Sequence, residues 1–312
     1  MMLRYTTRLA FSNSSNIWKI LLYRIVCILC VLGLTTVIAW PIINTLIKEN
    51  FFVNLQSSFE SILFNLNLEN LFVEVDRNIK NLANIITSNG YTLLFILCGI
   101  FDIIVFSFLE GYSNMAVHES VNGYMSSLTK YGYTNSYILN FGRASVLNLA
   151  RLITVIPLNI AIWGGVYFIT SKLYRTVGIF AIVICFMLLI LLLSVKDTIF
   201  SGWIPALVIH NESLFVALKQ GFVAVFKRFF KTLSNYIVLL TAMFLVNLLA
   251  ITLTAGVGLF ITLPLTTLLY VISNQVMYYE AMGMRFYIDS EHIISPKKLE
   301  QQDKFAKVKD II

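Results

Sequence analysis

Residues 177–195 read VGIFAIVICFMLLILLLSV, an uninterrupted apolar run without a charged side chain. A bilayer hydrocarbon core about 30 Å thick needs about 20 mostly apolar residues to be crossed as a helix. The run is therefore predicted to span a membrane. The whole chain agrees with this prediction, because 58% of its 312 residues are hydrophobic and only 12% are charged, against about 25% charged in soluble domains. The mean hydropathy is +0.80.

Five further apolar runs have the same character. Strands of membrane barrels alternate apolar and polar residues, and these runs do not, so helices are the remaining way to cross the bilayer. We predict an all-α, polytopic membrane helix bundle of about six transmembrane helices in three hairpins. It forms a single transmembrane domain over residues 1–295, followed by a short basic tail over 296–312. The other five spans are placed at 24–47, 91–109, 146–170, 236–254 and 257–278.

The lysine and arginine positions predict the orientation. With six spans and a cytoplasmic N-terminus, eighteen of the 23 basic residues fall on the cytoplasmic side. Cytoplasmic loops of membrane proteins carry this excess. Both termini are therefore expected in the cytoplasm of what we take to be a bacterial cell, with the protein in the cell membrane. The basic residues left on the outer side are Lys48, Arg77, Lys80, Lys172 and Arg175.

The segment 50–88, between the first two spans, is predicted to form an amphipathic helical hairpin on the outer side. Apolar residues recur in it at steps of three and four, which places them on one helical face. Asn, Glu and Lys fill the other face. The hairpin is interpreted as a cap over the bundle or as a partner-binding surface. The apolar positions are Phe52, Leu55, Phe59, Ile62, Leu66, Leu68, Phe72, Val75, Ile79, Leu82 and Ile86.

A second amphipathic helix is predicted on the inner side at 212–231. It combines a phenylalanine-rich face with basic residues, which is typical of helices that lie in the headgroup plane and contact anionic lipid. A weaker, tyrosine-rich counterpart precedes the third span. The residues expected to contact the lipid interface are Lys219, Lys227, Arg228, Lys231, Phe222 and Phe226.

Two ionisable residues are predicted to form a polar pair inside the membrane. Asp102 lies within the second span and Arg151 near the start of the third, both in the inner half of the bilayer. A charge at this depth is costly and normally faces the bundle interior, where it finds a partner. The alternatives are a protonated Asp102 bonded to a neutral polar side chain, a proton or solute relay at Asp102, and an Arg151 that extends to the interface.

No catalytic, cofactor or metal site is predicted. His118-Glu119 lacks the second histidine of an HExxH zinc site, and the sequence has no Walker A, GxGxxG or GxSxG motif. Cys27 and Cys30 have CxxC spacing, but they lie inside an apolar run where thiols stay protonated. We interpret the four cysteines as packing residues.

The stretch 203–289 resembles a broad bacterial group of multi-pass proteins. It reads WIPALVIHNESLFVALKQGFVAVFKRFF, then two spans joined at TAGVG, and closes on QVMYYEAMGMRFYID. The group includes the membrane domain of glycerophosphoryl diester phosphodiesterases. The resemblance covers under a third of the chain and implies a fold and not hydrolase activity, because the catalytic domain has no counterpart here. The matching residues are Pro205, Glu212, Ser213, Gly256, Gly258, Pro264, Tyr278 and Tyr279.

Two functions from different classes follow. The leading hypothesis is a non-enzymatic membrane protein, a scaffold or accessory subunit that acts through its amphipathic helices and a protein partner. The alternative is a secondary transporter or channel for a small solute or lipid, which Asp102 and the intramembrane prolines Pro41, Pro157 and Pro264 favour. An enzyme acting on lipid headgroups ranks third. Expected partners are anionic lipids of the inner leaflet and a protein partner or second copy, and nucleic acid is not expected, because the net charge of +7 sits beside the spans.

Overall fold

The computed structural model describes residues 2–65, 68–129, 131–289 and 292–294. Its helices are α1 (Met2–Ser12), α2 (Ser15–Ile38), α3 (Trp40–Lys48), α4 (Phe51–Asn65), α5 (Leu68–Ser88), α6 (Thr92–Ser127), α7 (Tyr133–Leu139), α8 (Phe141–Val177), α9 (Phe180–Phe200), α10 (Trp203–His210), α11 (Leu214–Phe226), α12 (Phe229–Thr254) and α13 (Leu259–Met282). Two short antiparallel strands, β1 (Phe286–Tyr287) and β2 (Ile293–Ile294), follow them. The predicted tail over 296–312 lies outside the described residues.

The predicted all-α, polytopic membrane bundle is confirmed. Within the described part of the chain, six helical segments are long and apolar enough to cross a membrane, counting α9 and α10 together as Phe180–His210. Their surfaces carry large exposed apolar side chains, such as Phe180 and Met187 on α9. Contiguous apolar surface of this extent marks contact with lipid. The chain is therefore a multi-pass integral membrane protein.

Prolines account for where two of the apolar runs are interrupted. The predicted span 24–47 is divided at Ala39, and Pro41 then occupies the first turn of α3, where its missing N–H costs nothing. Pro205 interrupts the helix between α9 and α10, because its ring clashes with the backbone carbonyl four residues earlier. Pro157 and Pro264, in contrast, lie inside continuous helices.

One compact unit comprises the described parts of Met1–Arg24, Glu110–Ile162 and Leu189–Ile312. Helix α1 packs against α13 in this unit, with Leu9 of α1 fully buried. Helix α1 was not predicted from the sequence. The ring of Tyr5 lies edge-on to Phe286 of β1, and Phe286 also contacts Tyr279 of α13. The N-terminal helix, the last helix and the terminal strand pair thus share one core.

Helices α10 and α11 pack closely against each other in this unit. A Cβ atom placed on Gly202 would lie 2.7 Å from the carbonyl oxygen of Gly221, so glycine is required at this crossing. The predicted amphipathic helix 212–231 corresponds to α11 and the first turn of α12. Asn211 ends α10 in the left-handed region with φ 57°, and Ser213 is the N-cap of α11. Asn is one of the few residues that adopt this conformation readily.

The second unit comprises Ile25–Leu109 and Trp163–Leu188. It contains α4 and α5, the two helices predicted within 50–88, which pack against each other. Their connection at residues 66–67 lies outside the described part. A small apolar core of Ile42, Leu46, Phe51 and Ile86 joins α3, α4 and α5.

Candidate functional site

A cavity of about 100 Å³ lies among the spanning helices of the first unit. Five helices line it, namely α6, α8, α9, α10 and α13. Its apolar wall consists of Val155, Phe200, Trp203, Ile204 and Val271. The remaining lining residues are polar: Asn114, His118, Arg151, Asn159, Lys196, Asp197, Tyr270 and Asn274.

Helical periodicity brings these side chains to one place. On α8, Arg151, Val155 and Asn159 are spaced by four residues and therefore share one face. Asn114 and His118 have the same spacing on α6. The interruption between α9 and α10 lies directly at the cavity, since Phe200 precedes it and Trp203 follows it. Discontinuous helices of this kind form the binding sites of many transporters.

The centre of the polar wall is an ion pair on α9. The Nζ atom of Lys196 lies 2.8 Å from Oδ1 of Asp197, and the two side chains are only 12% and 10% exposed. Lys196 also donates to Oδ1 of Asn159 at 2.8 Å. Tyr270 of α13 stands beside Asp197 in the cavity wall. The lysine charge is therefore balanced within the protein.

The hydrogen bonds of His118 define its tautomer. Gln275 Nε2 lies 3.1 Å from His118 Nδ1 and 3.2 Å from the His118 carbonyl oxygen. A carbonyl oxygen can only accept, so the Gln275 atom facing it is the amide nitrogen, and Nδ1 accepts from the same donor. The proton of the neutral ring therefore resides on Nε2. On α13, Asn274 accepts through Oδ1 from the buried hydroxyl of Tyr236.

Arg151 lies in the cavity wall but outside the hydrogen-bond network that the other polar residues form. It is half-buried and lines the cavity. Among the residues that the structure describes, no hydrogen bond or ion pair engages its guanidinium. The cavity wall therefore carries two cations, Lys196 and Arg151, and one carboxylate, Asp197, which interacts electrostatically with both of them.

Asp102, the other half of the predicted intramembrane pair, belongs to the second unit. Its Oδ1 accepts a hydrogen bond of 2.5 Å from Thr35 Oγ1, which joins α6 to α2. Thr35 is thus a neutral polar partner of Asp102, whereas the predicted protonation of the carboxyl group stays a prediction. The Asp102–Arg151 pair itself stays a prediction, and each residue has its own setting within its own unit.

The predicted lipid-interface residues divide into two groups. Lys219, Phe222 and Phe226 line an open apolar groove of about 420 Å³ on α11, and Lys227 is exposed. Arg228 and Lys231 instead pair with Glu280 of α13, at 3.2 and 2.8 Å. The proposed lipid contact of all six residues stays a prediction.

A second, more open polar groove of about 590 Å³ lies between α4 and α5. At its wall, Lys80 pairs with Asp76 at 2.5 Å, and the Tyr167 hydroxyl donates to the same carboxylate at 3.0 Å. The hydrogen bond from Lys80 is the largest influence on the pKa of Asp76. It outweighs the opposing effect of desolvation and, together with Tyr167, holds this pKa below its ordinary value.

The histidines have separate partners. His118 contacts Gln275, His210 Nε2 lies 3.0 Å from the Tyr278 hydroxyl, and His292 pairs with Asp289 at 2.8 Å.

Sequence reasoning found Arg151 but missed the rest of the cavity wall. Two signals in the sequence could have found it. Arg151, Val155 and Asn159 are spaced four residues apart, and Lys196 and Asp197 follow the most apolar run. The predicted span 177–195 stops one residue before Lys196, whereas α9 continues beyond it to Phe200.

Comparison with known proteins yields no relative: no family model matches the chain, and neither a curated protein nor a solved structure is significantly similar to it.

Proposed function

We propose that the chain is a secondary transporter or channel that takes a small solute into the polar cavity of its helical bundle. The observation that carries this proposal is the cavity itself, with Arg151, Lys196 and Asp197 inside spanning helices. Ionisable groups in such helices are rare, and they mark solute and ion pathways. The break between α9 and α10 beside the cavity supports the same function. The cavity thus favours the alternative of the sequence analysis over its leading hypothesis.

The location of the protein is part of the proposal. We place it in the cell membrane of a bacterium, with both termini in the cytoplasm, because the lysine and arginine residues cluster on one side of the six spans. The resemblance of 203–289 to the membrane domain of glycerophosphoryl diester phosphodiesterases is likewise proposed as a shared fold.

The test uses water-soluble thiol reagents on purified protein in proteoliposomes. Cys27, Cys30, Cys98 and Cys185 are first replaced by alanine. Asn159→Cys then introduces a single thiol at the cavity, and Ile160→Cys introduces a matched thiol on the exposed apolar face of the same helix.

The reagent should modify the thiol at 159 and block solute flux, whereas the thiol at 160 should stay unmodified and flux unchanged. Flux is followed with a panel of small anions, cations and neutral solutes. Equal modification at both positions, or no flux of any solute in the panel, would contradict a solute pathway through the cavity.

The groove on α11 supports a second candidate function, a scaffold or accessory subunit. Phe215, Phe222 and Phe226 expose aromatic surface beside Lys219, a combination that suits the boundary between acyl chains and anionic headgroups. A photo-reactive residue at Phe222 in native membranes tests this function, with one at Phe180 on α9 as the lipid-facing control. A stoichiometric protein adduct at 222 alone supports the scaffold, and lipid adducts at both positions argue against it.

A further inference from the structure

We infer that the ligand of the cavity is a small oxyanion, a phosphate or carboxylate group, and that Arg151 is its principal receptor. This inference rests on the proposed function for the role of the cavity. It goes further in naming the chemical class of the solute from the charges and hydrogen-bonding groups of the cavity wall.

The charges of the wall leave a net positive cavity. Asp197 is matched by Lys196 at 2.8 Å, and the neutral His118 adds no charge. Arg151 is the second cation of the wall, and the lining that the structure describes holds no further carboxylate for it. Because two cations share one carboxylate, a bound anion would relieve the cost of placing Arg151 there. A cation in the same cavity would be repelled.

The hydrogen-bonding groups of the wall also favour an anionic ligand. Four acceptor groups of the wall are already engaged within the protein: Asn159 Oδ1 by Lys196, Asn274 Oδ1 by Tyr236, His118 Nδ1 by Gln275, and the Asp197 carboxylate by Lys196 and Tyr270. These bonds leave N–H donors on Asn159 and His118. A wall that offers donors selects a ligand rich in acceptors.

The geometry of the arginine side chain restricts the chemical class of the ligand further. Its planar fork of five N–H groups matches the two oxygens of a carboxylate or phosphate better than it matches a halide. The size of the cavity limits the ligand as well. A single water needs roughly 10–15 Å³ of cavity volume, so the cavity of about 100 Å³ holds several waters or one small polyatomic anion. A nucleotide exceeds this volume, and of a lipid only the phosphate group fits into it.

Isothermal titration calorimetry on the purified full-length protein in detergent tests the inference, with sodium phosphate and sodium acetate as probes and choline chloride as the cation control. Phosphate or acetate should bind and choline should not. Arg151→Met should weaken binding at least tenfold, and Arg151→Lys less, since it keeps the charge but loses the fork. The matched control is Arg143→Met, an exposed arginine two turns earlier on α8, which should bind as wild type does.

A second variant keeps the test valid if Arg151→Met fails to fold. Asn159→Asp places a carboxylate in the wall and should weaken oxyanion binding without removing Arg151. Size-exclusion profiles and melting temperatures confirm that each titrated variant is folded. Absence of phosphate and acetate binding to wild type, or unchanged binding in Arg151→Met, overturns the inference.

Free ions and lipid phosphates are two sources of the same chemistry. Native mass spectrometry in nanodiscs of phosphatidylglycerol separates them. A lipid that is retained by wild type, displaced by inorganic phosphate and lost in Arg151→Met identifies the lipid as the source. Binding of inorganic phosphate without retained lipid identifies the free ion.

The two proposals fail in different ways. Flux of neutral or cationic solutes that the thiol at 159 blocks, without oxyanion binding, overturns the oxyanion inference and leaves the transporter intact. Oxyanion binding that depends on Arg151, with no flux of any solute, leaves a binding site and overturns transport.

Discussion

Lys196 Nζ and Asp197 Oδ1 lie 2.8 Å apart, and neighbouring residues on one helix form this ion pair inside the membrane-spanning bundle. Adjacent helical residues do not normally face each other, but the long lysine side chain turns back to the carboxylate of the next residue. The pair is almost fully buried. It therefore belongs to the class in which removal of one partner is far more damaging than replacement of both.

Asp197→Asn should accordingly destabilise the protein by about 3–5 kcal/mol, because Lys196 loses its balancing charge inside the bundle. The double variant Lys196→Met/Asp197→Leu should recover most of this loss. Unfolding in mixed detergent micelles measures both. Asp76→Asn in the exposed Lys80–Asp76 pair is the control and should cost less than about 1 kcal/mol. Equal effects of the two asparagine variants would show that the pair on α9 is not buried in the folded protein.

Gly202→Ala should destabilise the first unit by about 1–3 kcal/mol, a typical cost of overpacking. The added Cβ meets the Gly221 backbone at 2.7 Å, and the backbone of α11 cannot rotate aside as a side chain would. Gly165→Ala on α8 is the matched control, since nothing lies within 4 Å of its added Cβ. Melting temperatures in detergent distinguish the two. A harmless Gly202→Ala contradicts the close approach of α10 and α11.

The Thr35–Asp102 hydrogen bond should give a coupling energy of about 1 kcal/mol in a double-mutant cycle of Thr35→Val and Asp102→Asn. Hydrogen bonds between membrane helices average about 0.6 kcal/mol and reach about 1.7 kcal/mol, and this one has a short distance of 2.5 Å. Thr36→Val serves as the control, because the Thr36 hydroxyl donates to the Leu32 carbonyl of its own helix. A coupling energy near zero for Thr35 would leave Asp102 available for the predicted pair with Arg151.

The pKa of Asp76 should rise toward its ordinary value in Lys80→Met, since the hydrogen bond from Lys80 is the main cause of its lowering. A lowered folded-state pKa stabilises the protein at pH values above the ordinary carboxyl pKa, and this stabilisation is lost as the pH falls through the folded pKa. The loss therefore occurs at acid pH, below about 3.8. An NMR titration of ¹³C-labelled aspartate, assigned with Asp76→Asn, measures the midpoint. The same midpoint in wild type and Lys80→Met would contradict the ion pair.

The fold was predictable because the length of the apolar runs determines it. Long apolar runs must become helices in a bilayer, and runs such as 177–195 are visible in the sequence alone. Their ends were less predictable, since α6 and α8 continue as helices beyond the apolar runs, to Ser127 and Val177. The interruption before Pro205 was predictable, because proline breaks a helix. Pro205 was considered only as one of the residues that carry the resemblance to the bacterial group.

The cavity was not predictable in the same way. Its wall combines His118, Arg151, Lys196 and Asn274 from four helices far apart in the chain, and helical periodicity shows which residues share a face but not which faces meet. Arg151 was identified because an ionisable residue in a span is costly wherever it lies. The neutral polar residues give no such signal, because Asn and His also occur at interfaces.

Anomalous diffraction can locate an oxyanion that is bound to Arg151 in the cavity. Crystals of the full-length protein with ordinary methionine are soaked in selenate, and data are collected at the selenium edge. We expect an anomalous peak in the cavity within hydrogen-bonding distance of the Arg151 guanidinium, and no such peak in Arg151→Met. An Arg151 side chain bound to a protein carboxylate such as Asp102, with no selenate in the cavity, would contradict it.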